Sequence, residues 1–203
     1  MFVRIEQGYT TFDLDSHRAL PISDCFQRSP DNARMTTRWK PSVTVAAIIE
    51  CDGRYLLIEE HTPEGLRLNN PAGHLDPGES PEAGCIREAF EETGHHFTPT
   101  ALVGVYLSRF ERPAREGQPA QDITYLRFAY CGQVGQAVPG AQLDHGIVRT
   151  LWMTPEEVRA SAAQHRSPLV LQCIEDHLQG QRFPLSLVHT DPSVHLAPSS
   201  AHG

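Results

Sequence analysis

Hydrophobic and polar positions divide the chain into a polar beginning, a patterned middle and a polar end. From residue 43 to residue 49 every position except Thr44 is apolar, the pattern of a strand covered on both faces. Cys51-Asp52-Gly53 supplies turn chemistry, and Tyr55 to Ile58 reads as the return strand of a hairpin. Glu59 to Asn70 is polar and reads as a loop. Leu102 to Leu107, Ile123 to Tyr130 and Val148 to Met153 are further strands, the first two separated by the loop Glu111 to Gln121. Thr154-Pro155-Glu156-Glu157 predicts a helix start with Thr as N-cap, Pro at N1 and Glu closing a capping box. Ser167-Pro168 predicts another helix, running to about Leu178 with Gly180 as its stop. Strands and helices in this order predict an α/β fold with a mixed sheet.

Residues 1–38 lack a sustained period; Val3 to Tyr9 alone suggests a short strand. We expect 1–38 to be an extension, poorly ordered or loosely docked, with 1–34 preceding a native start at Met35. The domain is expected over 39–189, followed by a flexible tail over 190–203.

Ser80-Pro81 and Gly94 bracket a helix over 81–93. At ~100° per residue, Ala83, Ile86, Ala89 and Phe90 share one arc, which is expected to pack on a sheet. Glu88, Glu91 and Glu92 share the opposite arc. Such a cluster is either a solvated face or a cation seat. Like charges at these spacings disfavour a bare helix by a few tenths of a kcal/mol each, and a hard cation with oxygen ligands would relieve them. The turns Pro71-Ala72-Gly73 and Asp76-Pro77-Gly78 bring Glu79 to the helix start, where it can meet Arg87 as a bidentate pair. Asp76 and Glu82 are equally explained as acids at a helix N-terminus.

Charge sharpens this picture. The formal charge is −8, which disfavours broad contact with a nucleic-acid backbone. The segment from Gly73 to His95 holds six acids against Arg87 alone, so five of those eight negative charges sit in 23 residues. No run approaches the roughly 18 apolar residues of a membrane helix. The first residues do not resemble a signal peptide. The 5 cysteines are scattered without a C-x-x-C pair, which suits a reducing cytoplasm better than a disulfide framework.

The residues Gly73-x5-Glu79-x7-Arg87-Glu88-Ala89-x-Glu91-Glu92-x-Gly94 resemble the Nudix box, G-x5-E-x7-R-E-U-x-E-E-x-G-U, with U a bulky aliphatic residue. Every fixed letter is present. Ala89 is small for a U position and His95 replaces the terminal aliphatic, departures that bear on packing rather than chemistry. Further pieces resemble the NudJ-like branch of the family: Pro41 to Ala46, Pro71 to Leu75, Leu126 to Phe128, Arg166 to Val170 and Gly180 to Leu185. The resemblance spans roughly Trp39 to Val188.

The resemblance implies an α/β/α sandwich and metal-assisted hydrolysis of a small phosphorylated metabolite or nucleotide. Implied metal ligands are Glu88, Glu92, Glu91 and the Gly73 carbonyl, holding Mg²⁺ with Mn²⁺ as a substitute. The catalytic set is Glu91, Glu92, Arg87 and Glu79, with Glu91 or Glu92 as general base and Asp144 as an alternative outside the box. His74 can touch phosphate or be an ordinary loop residue. Arg127 can pair with phosphate through its fork or simply face outward, and Arg166 precedes a helix start. Adjacent His95 and His96 are expected to point apart, and Cys85 to be a buried thiol. NudJ-like activity would release orthophosphate from thiamine-pathway pyrophosphates and nucleoside di- and triphosphates. The competing readings are cleavage of ADP-ribose or a dinucleoside polyphosphate, and a Nudix-fold binding module without turnover. A monomer or homodimer is expected, with no membrane or nucleic-acid partner.

Overall fold

The computed structural model describes residues 39–112, 114 and 119–196. The suggested strand Val3 to Tyr9 and the start at Met35 lie outside the described residues. Eight strands and three α-helices follow in the order β1 (Ser42–Ile48), β2 (Glu50–Cys51), β3 (Arg54–Thr62), β4 (Gly65–Asn69), β5 (Ala72–His74), α1 (Pro81–Thr93), β6 (His95–Arg112), β7 (Gln121–Ala137), β8 (Ile147–Met153), α2 (Pro155–Ala160) and α3 (Leu169–Leu178).

One sheet has the order β5-β1-β7-β6, with β1 parallel to β7 and its other pairs antiparallel. In the second, β3 pairs with β2, β4 and β8, all antiparallel. The apolar run of β1 explains the layering. Val45, Ala47 and Ile49 pack with Cys85 and Ala89 of α1, whereas Ala46 and Ile48 pack with Val170, Cys173 and Ile174 of α3. A period of two thus feeds two cores, one on each face of the sheet. Burying each of the valine and isoleucine side chains among them contributes about 1.5–3 kcal/mol.

The helix boundaries follow local chemistry. The Ser80 hydroxyl accepts from the Ala83 N–H at 3.1 Å, and Gly94, at φ 69°, donates its N–H to the Phe90 carbonyl at 2.8 Å. The capping box at Thr154 is formed, with Thr154 N–H donating to Glu157 at 2.7 Å and Glu157 N–H to Thr154 at 3.2 Å. The stop after α3 has Gly180 at φ 83°.

Two expectations are corrected. Glu59 to Asn70 is not a loop: it forms the end of β3 and all of β4, paired from Ile58↔Asn69 to Thr62↔Gly65. Its polar residues are held across strands and by neighbouring elements, as Glu59 pairs with Arg149 at 2.8 Å and Glu60 with Arg166 at 2.7 Å. The long hairpin β6–β7 also extends beyond the apolar patches that announce it, because backbone pairing continues from Leu107↔Leu126 out to Arg112↔Gln121.

Behind α3, the Tyr55 hydroxyl and His177 Nδ1 lie 2.6 Å apart. Burial, reinforced by Arg182, lowers the His177 pKa to about 4. The unfolded chain therefore binds more protons than the folded one between about pH 4 and 6.5, and stability rises with pH across that window. The stability lead of wild type over His177→Gln is expected to be complete above pH 6.5. It should shrink by about 2 kcal/mol as pH falls towards 4, after discounting for the partly exposed ring. Urea unfolding of both proteins at several pH values checks this.

Candidate active site

Helix α1 and strand β5 build the site. In α1 the buried residues are Gly84, Cys85, Glu88, Ala89, Glu92 and Thr93, so the buried face is turned from the expected apolar arc towards the glutamates by about 100°. Ile86, expected to pack inward, is 42% exposed, whereas Glu88 and Glu92 are each 8% exposed. Buried carboxylates are tolerated because each has a donor. The Ala72 N–H of β5 donates to Glu92 Oε2 at 2.6 Å, and Arg87 Nη1 donates to Glu88 Oε1 at 2.7 Å. Glu91 stands further into solvent and accepts from Arg87 Nη1 at 2.9 Å.

The expected Glu79–Arg87 pair is present. Arg87 Nε donates to Glu79 Oε2 at 3.1 Å and Nη2 to Glu79 Oε1 at 2.7 Å. Nη2 also donates to the His74 carbonyl at 3.0 Å, so one guanidinium ties helix, preceding loop and β5 together. The Asp76 N–H donates to Glu79 Oε1 at 2.8 Å, closing the turn. Arg87 holds the Glu79 carboxyl below its usual range. Burial instead raises Glu88, and raises Glu92 to about 8. In neither case do the neighbouring donors and charges offset the burial of the ionised form.

The donor set fits a hard divalent cation. Glu88, Glu91 and Glu92 offer oxygen ligands at one end of α1. Gly73 approaches Glu88 so closely that an added β-carbon would fall on its carboxylate, so backbone and carboxylate share one small space only because position 73 is glycine. Among the described residues, no three His, Cys, Asp or Glu side chains already converge at metal-ligand spacing; Glu88 and Glu91 turn to Arg87. Asp144 donates its N–H to the Glu91 carbonyl at 2.9 Å, and its charge is felt at both Glu88 and Glu92.

A cavity of about 860 Å³ begins at Ala72, Gly73 and His74 and continues over Thr44, Arg127, Tyr125, Asn69 and Glu60 to Arg166 and Gln172. That volume suits one nucleotide-sized ligand. His74, Arg127 and Arg166 therefore share one hollow. The His74 and Tyr125 rings lie 6.2 Å apart and tilted by 48°. Arg127 faces inward at 8% exposure, and Arg166 is taken up by Glu60. His95 and His96 do point apart: His95 Nδ1 lies 2.9 Å from the Gly135 carbonyl oxygen, and His96 stacks on Phe90. Cys85 is fully buried, which pushes its thiol pKa well above the usual range. Sequence reasoning did not single out Thr44, Asn69 or Glu60, although it expected the segment Glu59 to Asn70 to contribute pocket residues. Thr44 had a signal, as the one polar residue in an otherwise apolar strand; the other two sat in a segment misread as loop.

The mixed sheet lies between helices, and the glutamates of α1 meet Ala72 and Gly73 of β5, which line the nucleotide-sized cavity. Residues 38–173 match the NUDIX domain, and the chain belongs to that family. It is 32% identical over 150 residues to Phosphatase NudJ of Escherichia coli (strain K12), covering 74% of this chain and 92% of that protein. Among solved structures, a NUDIX hydrolase from Nitrosomonas europaea is 49% identical with a TM-score of 0.65, covering 75% of this chain and 98% of that chain. A MutT NUDIX hydrolase from Burkholderia pseudomallei shares the fold at 22% identity and a TM-score of 0.54, covering 68% and 98% of the two chains. Among the described residues, no helix is long and apolar enough to cross a membrane.

Proposed function

We propose that this protein is a Mg²⁺-dependent phosphatase that releases orthophosphate from thiamine-pathway pyrophosphates and nucleoside di- and triphosphates, as in the NudJ-like branch. The observation that carries the reading is the placement of Glu88 and Glu92, two buried carboxylates of α1, against Gly73 and Ala72, which line a cavity of about 860 Å³. Similarity over 92% of the length of Phosphatase NudJ supports the branch, and the His74–Tyr125 ring pair suits a planar heterocycle.

Glu88 and Glu92 would hold the cation, with Glu91 and the Gly73 carbonyl completing its protein ligands. Mg²⁺, with Mn²⁺ as substitute, supplies neutralisation of phosphoryl charge and an acidified water. Hydrolysis adds water across one phosphoanhydride bond, and Glu91 or Glu92 takes the proton that the attacking water gives up. Asp144, whose N–H donates to the Glu91 carbonyl at 2.9 Å, would be the alternative base outside the helix. Arg87 and Glu79 act by positioning: their bidentate pair holds β5 and the loop against α1. The free, scattered thiols of Cys51, Cys85, Cys131 and Cys173 support a cytoplasmic setting.

A screen of thiamine pyrophosphate, nucleoside di- and triphosphates and ADP-ribose with Mg²⁺, products identified by mass, tests the reading. Orthophosphate from the first two groups is expected. AMP plus ribose phosphate from ADP-ribose would move the protein to another Nudix specificity, and no turnover of any of them would overturn the assignment as a hydrolase of these substrates.

A further inference from the structure

The cavity floor contains a feature that the glutamate helix does not explain. Register places His74 of β5, Thr44 of β1, Arg127 of β7 and Tyr106 of β6 in one cross-strand row. Cross-strand partners share a face, and the Tyr106 hydroxyl donates to Asp176 Oδ2 of α3 at 2.9 Å, so this is the α3 face. Arg127 is 8% exposed and Thr44 6% exposed. Arg127 Nε, Arg127 Nη1 and Thr44 Oγ1 are all buried without a hydrogen-bond partner, and both residues line the cavity.

A buried guanidinium with two of its three nitrogens unpartnered is unfavourable, because those N–H groups give up water and gain no acceptor. The neighbouring acids do not relieve it. Asp176 Oδ2 is taken by Tyr106, and its Oδ1 accepts from Gln172 at 2.9 Å and Gln181 at 3.3 Å. Glu60 accepts from Arg166 at 2.7 Å and Asn69 at 3.1 Å. The Cys173 thiol beside Arg127 is a weak acceptor without charge, its pKa raised to about 11 by burial. Asp176 and Glu60 are thus committed elsewhere and Glu92 acts on Arg127 through its charge, while Arg127 Nε, Arg127 Nη1 and the Thr44 hydroxyl, on adjacent strands, are left without an acceptor.

We propose that Arg127 and the Thr44 hydroxyl form a metal-independent seat for a phosphoryl group of the substrate, separate from the group held at the glutamate helix. The naming of the anion as phosphoryl rests on the hydrolase reading; the lack of an acceptor at Arg127 and Thr44 does not. Strands lie ~4.8 Å apart, so Arg127 stands two strands, or ~10 Å, in from the β5 edge where Gly73 meets Glu88. A substrate held at both places must carry two anionic groups. The seat thereby selects di- and triphosphates and pyrophosphates over monophosphates, and fixes which end reaches the glutamates. Arginine suits this role because its fork presents two N–H groups in fixed geometry.

Metal-free binding tests the seat directly. Inorganic pyrophosphate is titrated calorimetrically into the full chain in EDTA, and thermal unfolding is followed in parallel. Wild type is expected to bind saturably and to gain Tm. Arg127→Met is expected to bind at least tenfold more weakly. Its anion-free Tm should equal or exceed that of wild type, because an unpartnered charge has been removed. A purely structural arginine would instead lower it. Thr44→Val, similar in shape and without the hydroxyl, is expected to weaken binding at least threefold and guards against a misfolded Arg127 variant. Glu92→Gln should bind pyrophosphate in EDTA at least as tightly as wild type. No saturable binding by wild type, or undiminished binding by both Arg127→Met and Thr44→Val, overturns the seat whatever the turnover. Binding that behaves as expected in a protein that hydrolyses nothing with Mg²⁺ supports the seat and overturns the hydrolase reading alone.

Discussion

Glu92→Gln is expected to lower kcat with Mg²⁺ by at least about 10²-fold, the scale of losing one key electrostatic group in an active site, while leaving the fold intact. The two effects separate because Glu92 does two things. Its Oε2 accepts from the Ala72 N–H at 2.6 Å, a bond that a glutamine oxygen can also accept, so the joint between α1 and β5 persists. The negative charge is lost, and with it a ligand to the cation. Since that carboxylate is buried and acids raise its pKa further, the neutral amide is expected to fold with an unchanged or higher Tm. Steady-state phosphate release together with thermal unfolding checks both halves. Wild-type turnover by the purified variant would remove Glu92 from the proposed metal seat.

Arg87→Ala is expected to destabilise the protein by about 3 kcal/mol, at the low end for removing one partner of a buried ion pair. Arg87 is 27% exposed, and its guanidinium touches Glu79 twice, Glu88, Glu91 and the His74 carbonyl. Removal leaves Glu79 and Glu88, at 16% and 10% side-chain exposure, without the cation that offsets their burial. It also unties β5 from the helix. Arg87→Lys should recover less than half of the loss, because a single ammonium cannot span contacts arranged for a fork. Equilibrium urea unfolding of the three proteins measures this, and an Arg87→Ala variant as stable as wild type would show that the contacts carry no net stability.

The sequence itself determined what depends on local chemistry. Ser80-Pro81 and Gly94 bound α1 because an N-cap hydroxyl, a proline at N1 and a left-handed glycine are properties of a few adjacent residues. Thr154 to Glu157 starts α2 for the same reason. The spacing of Glu79 and Arg87 was enough to anticipate their pairing. Tertiary structure decided which way the glutamate helix is turned. Helical periodicity placed Glu88 and Glu92 away from the core, but β5 supplies the Ala72 N–H and a side-chain-free Gly73, so those carboxylates can be buried and Ile86 left exposed. The strand character of Glu59 to Asn70 was hidden in the same way, since its polar residues are satisfied by Arg149 and Arg166 from distant parts of the chain. The row of Thr44 and Arg127 exists only through the parallel pairing of β1 with β7. Local patterns announce where a helix begins and which charges it carries; donors and cavities assembled from residues far apart in sequence become visible only once the sheet has formed.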